Sequence, residues 1–83
     1  MRHAGPAALD SIEPLLAAAR ALPALAERKR GIFYRRSVAW LHFHEDPAGM
    51  FADLKTARGW TRLRVSTSAE RRRFLAALRK SVS

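Results

Sequence analysis

His42 and His44 flank Phe43 in the run 38–45, Val-Ala-Trp-Leu-His-Phe-His-Glu, whose β-branched and aromatic residues favour an extended chain. Residues two apart in a strand share a face, so the two imidazoles stand side by side. Paired imidazoles of this kind can hold a divalent metal, with a carboxylate completing the site. Asp53, in the next extended run, is the carboxylate placed to do so. The same groups could move protons, His44 against Asp46 or Asp53. Yet the chain has no nucleophile paired with a base, no phosphate-cradling glycine loop and no His-Glu-x-x-His pattern. No catalytic residue is therefore assigned and no cofactor is expected. With no cysteine, thiol nucleophiles, thiolate zinc sites and disulfides are excluded.

Positioning these groups requires a sheet. Residues 11–22 carry Ile12, Leu15, Leu16, Ala19 and Leu22 at helical spacing, with Pro14 tolerated in the first turn and Pro23 as the stop. Residues 24–30 read as a connector. Strands are expected over 31–36, 38–45, 50–55 and 60–66, separated by turns near Ser37, at 46–49 and at 57–59. Thr67-Ser68-Ala69-Glu70 is a capping box opening a helix over 68–80. The order α-β-β-β-β-α with short connections predicts an α+β two-layer sandwich: a four-stranded antiparallel meander with both helices on one face. Residues 1–8 read as a disordered, frayed tail and 9–83 as one domain. Asp10, Glu13 and Arg20 interrupt any secretory apolar core, and no run approaches a membrane span, so a cytoplasmic protein is expected.

Alternation sorts the strands into two faces. Phe33, Ala39, Leu41, Phe43, Ala52, Leu54, Leu63 and Val65 should lie under the helices. Tyr34, Trp40, His42, His44, Phe51, Asp53, Lys55, Trp60, Arg62 and Arg64 should lie opposite. A merely solvated face would not usually carry so many aromatic rings.

Sixteen Lys and Arg against seven Asp and Glu give a net charge of +9 on 83 residues. Such an excess attracts nucleic acid or anionic ligands. The bias to thirteen Arg over three Lys, beside sixteen Ala, also suits a GC-rich genome. The function expected is a non-enzymatic binding module. Bases would stack on the aromatics while Lys55, Arg62 and Arg64 hold phosphates. Two alternatives stand beside it: a homodimer or protein partner burying the same face, and a small-ligand or metal site at His42, His44 and Asp53.

The stretch 39–55, Ala-Trp-Leu-His-Phe-His-Glu-Asp-Pro-Ala-Gly-Met-Phe-Ala-Asp-Leu-Lys, resembles the strand–turn–strand of small bacterial luciferase-domain proteins. Their pattern runs from an apolar strand ending in His-x-His, through an acidic or glycine turn, to a later Gly-Trp strand and a closing helix. Residues 58–66, Arg-Gly-Trp-Thr-Arg-Leu-Arg-Val-Ser, echo the later part, and the opening helix ending at Leu22-Pro23 fits their start. The resemblance spans about residues 12–79 and draws attention to His42 and His44. No flavin signature accompanies it, and the His-rich segment that often precedes the late strand is missing here. A more remote similarity is to small YjbR-like α+β proteins, whose fold is linked to nucleic-acid binding.

Overall fold

The computed structural model describes residues 1–83. Two short helices open the body of the chain, α1 (Pro6–Ser11) and α2 (Glu13–Arg20), in place of the single helix expected over 11–22. They part at Ile12, whose φ of −116° and ψ of 21° leave the helical region. Pro14 explains the break: it has no N–H to give Asp10, and its ring crowds that carbonyl. Residues 1–8, expected to be a frayed tail, instead supply a two-residue strand β1 (Arg2–His3) and the start of α1.

The remaining strands are β2 (Ala26–Lys29), β3 (Ile32–Arg35), β4 (Val38–Asp46), β5 (Gly49–Thr56) and β6 (Gly59–Arg64). They form an open antiparallel sheet in the order β2-β3-β4-β5-β6, with β1 also pairing β4. The sheet thus has two strands more than the four-stranded meander expected. β2 lies in the stretch 24–30 assigned as a connector; its glutamate and two cations hide a strand signal. β1 pairs the far end of β4, Arg2 opposite Glu45 and His3 opposite His44. The β2–β3 turn contains Gly31 at φ +82°, where an added Cβ would come within 2.6 Å of the Leu9 side chain. Arg36 and Ser37 both take positive φ in the tight β3–β4 turn, the backbone sense that suits the twist of a hairpin.

Helix α3 (Ser68–Val82) closes the chain and carries the expected capping box. The Thr67 hydroxyl accepts the Glu70 N–H, and Glu70 accepts the Thr67 N–H in return. All three helices join the buried side of the sheet in one core. Leu9, Ile12, Leu15, Leu16, Phe74 and Leu78 meet Phe33, Leu41, Phe43, Ala52, Leu54 and Val65, and no polar residue is fully buried. The Phe43 and Phe74 rings meet edge-on, 5.6 Å apart.

One bulge changes which side chains reach each face. Phe33 pairs Leu41 but Tyr34 pairs Ala39, so Trp40 is an extra residue on β4. Ala39 therefore shares the outer face with Tyr34 rather than lying in the core. Trp40, expected on the outer face, packs against the core from the helix side. Its Nε1–H donates to Ser81 Oγ of α3 at 3.2 Å.

Candidate functional site

Pairing across β4, β5 and β6 assembles the outer face as rows. His42 lies opposite Asp53, which lies opposite Arg62; His44 lies opposite Phe51, which lies opposite Arg64; Lys55 lies opposite Trp60. Ile32 extends the first row on β3 and His3 the second on β1. The face thus gathers all the expected site residues except Trp40, and adds His3. Nothing in the local sequence marks His3 as a strand residue. The one available signal is charge: Arg2 answers Glu45, with Nη2 to Oε1 at 3.0 Å, and the Gly5 N–H donates to Glu45 Oε2 at 2.7 Å.

The three histidines cluster. Ring centroids are 4.8 Å apart for His3–His44, 5.8 Å for His3–His42 and 6.1 Å for His42–His44. Trp60 stands 5.2 Å from His42. Burial pushes the His42 imidazole below its ordinary pKa, and the neighbouring His3 and His44 add to the effect, against a pull upward from Asp53. His44 is also lowered, again mainly by burial. Both rings therefore favour the neutral state near neutrality.

Asp53 is engaged elsewhere. Arg62 forks onto it, Nε to Oδ1 at 2.8 Å and Nη2 to Oδ2 at 2.9 Å. That guanidinium holds the Asp53 carboxyl below the usual range, while burial opposes it. His44 Nε2 sits 3.0 Å from Oδ2, but out of line, so this buried nitrogen has no hydrogen-bond partner. His42, His44 and Asp53 are brought together as neighbours, but neither they nor the three clustered histidines have the arrangement that would hold a metal ion. With both oxygens held by Arg62, Asp53 has little left to offer a cation.

The aromatic residues of this face carry cations. Arg28 lies 4.6 Å over Tyr34, Lys55 5.7 Å over Trp60 and Arg64 5.0 Å over Phe51. Trp60 is 49% exposed, the most accessible of these rings. Arg64 is also tied down: Nη2 donates to the Ala48 carbonyl at 2.7 Å and Nε reaches Glu70 at 3.4 Å. All seven acidic side chains of the protein are paired, with Arg2, Arg20, Arg30, Arg62, Arg64 or the Met1 amino group. Eleven of the sixteen basic side chains are left without a carboxylate partner.

No protein-family model, curated protein or solved structure matches this chain. Nothing from those comparisons bears on the similarity to luciferase-domain or YjbR-like proteins. No helix is long and apolar enough to cross a membrane. The site is therefore interpreted from its own chemistry: a basic, ring-bearing sheet face with one internally neutralised Asp–Arg pair at its centre.

Proposed function

We propose that this protein is a non-enzymatic binding module whose outer sheet face takes single-stranded nucleic acid. The supporting observation is the charge distribution. Every acidic side chain is paired within the molecule while most basic side chains are not, so a polyanion meets attraction without an opposing acidic patch. Trp60 offers a half-exposed ring for a base to stack on, with Lys55 beside it for the adjoining phosphate. Tyr34 under Arg28 repeats the arrangement on the other side of the histidines.

Burying the face against a second copy would set two like-charged surfaces, each bearing Arg28, Lys55 and Arg64, against one another, which disfavours the homodimer. Anisotropy of a labelled single-stranded oligonucleotide, followed as salt is raised, tests the reading. Affinity should fall steeply with salt yet remain measurable at physiological strength. Binding that disappears there would count against a specific surface.

A further inference from the structure

A second place on the molecule gathers cations around an apolar wall, on the helix side of the sheet. The antiparallel register brings the β3–β4 turn and the β5–β6 turn to one end. Two hydrogen bonds to Ser81 fix the C-terminal end of α3 there, one from Trp40 and one from Arg35 Nη1 to the Ser81 carbonyl at 3.2 Å. Between the β5–β6 turn and α3 lies a cavity of about 450 Å³, lined by Trp40, Ala57, Ala77, Arg58, Lys80 and Ser81 together with Thr56. That size suits a small ligand.

The wall is held in place before any ligand arrives. Ser81 Oγ accepts from the Trp40 indole and donates to the Leu78 carbonyl at 2.7 Å. The Arg35 guanidinium lies 5.0 Å from the Trp40 ring centre. Trp40, Ala57 and Ala77 give an apolar surface; Arg58 and Lys80 give two cations from two separate elements. Neither cation has a carboxylate partner, and no acidic residue lines the cavity. Arg36 and Arg79 add exposed charge at the same end. A helix C-terminus favours cations on its own account, which explains Arg79 and Lys80. It does not explain Arg58, which stands on a turn of the sheet.

The geometry points to a binding site for a small phosphate monoester that carries a flat apolar group. Two cations on separate elements suit a group of nearly two negative charges better than a carboxylate, and the indole with its two alanines receives the rest of the molecule. This site lies across the sheet from the nucleic-acid face and does not depend on that reading.

The test is a ¹H–¹⁵N titration of the full chain with phenyl phosphate, inorganic phosphate and phenol. Phenyl phosphate should shift the Trp40 indole N–H and the Arg58, Ala77, Lys80 and Ser81 amides saturably. Inorganic phosphate and phenol should each bind at least about tenfold more weakly. Arg58→Gln and Lys80→Gln, both at exposed positions, should each weaken phenyl phosphate by about tenfold. Arg72→Gln, exposed on α3 away from the cavity, should leave it unchanged. Equal weakening by Arg72→Gln would reduce the effect to net charge and overturn the site, as would phosphate alone binding as well as phenyl phosphate, or no saturation at all. A last arm compares thymidine 5′-monophosphate with a 5′-phosphorylated oligonucleotide. Cavity shifts at least as strong with the nucleotide support a small-molecule site; a clear preference for the strand end would overturn that assignment.

Discussion

His44 Nε2 lies 3.0 Å from Asp53 Oδ2, but Arg62 holds both oxygens of that carboxylate and Nε2 has no hydrogen bond of its own. Burial of the histidine outweighs the upward pull that the Asp53 charge exerts on its pKa. Its neutral state is set by burial and by the neighbouring rings, and several properties of the molecule follow.

The first is a dependence of stability on pH. His42 and His44 both have pKa values lowered in the fold, so the unfolded chain binds protons more readily. Their contribution is complete above the unfolded imidazole pKa of about 6.5 and is lost as pH falls through the lower folded values. Urea midpoints should therefore drop between pH 7.5 and 5, a window above the titration of the paired carboxylates. His42→Gln with His44→Gln should flatten that drop. Imidazole resonances titrating at or above the ordinary value would contradict the assignment.

The bulge at Trp40 makes a second prediction. Ser81→Ala removes the acceptor for a part-buried indole N–H and should cost about 1 kcal/mol in urea unfolding. Trp40→Ala should cost about 3 kcal/mol, since the ring packs against the core. A Trp40 on the outer face would make Ser81→Ala neutral.

Gly31 gives a third. Its φ of +82° and the approach of Leu9 leave no room for a Cβ. Gly31→Ala should destabilise by about 1–3 kcal/mol, measured the same way. A neutral result would mean the β2–β3 turn relaxes away from α1.

These positions also mark what could and could not be read from the sequence. The core strands were legible because Phe33, Leu41, Phe43, Ala52, Leu54 and Val65 alternate, and α3 because Thr67 and Glu70 cap it. The bulge was not, since one inserted residue leaves the local pattern around Trp40 intact while reversing its face. β1 and β2 are short and charged, and their strand character comes from pairing with β4 and β3 rather than from propensity. His3 entered the site only through that pairing.

Arg62 and Lys55 should differ in their effect on nucleic-acid affinity. Arg62 is already neutralised by Asp53, whereas Lys55 has no acidic partner. Lys55→Ala should weaken oligonucleotide binding and make the salt dependence shallower; removing the neutral pair together, Arg62→Ala with Asp53→Ala, should do less, because it leaves the net charge of the face unchanged. Anisotropy titrations of the two variants over a salt series check this, and equal losses would contradict it.

The proposed role of the outer sheet face is to bind single-stranded nucleic acid. A ¹⁵N titration with a short mixed-sequence oligonucleotide at physiological salt tests it most directly. Shifts should cluster on Tyr34, Lys55, Trp60 and Arg64, and Trp60→Ala should weaken binding by about tenfold. Shifts confined to the exposed arginines of α3 and lost at physiological salt, with Trp60→Ala without effect, would contradict it.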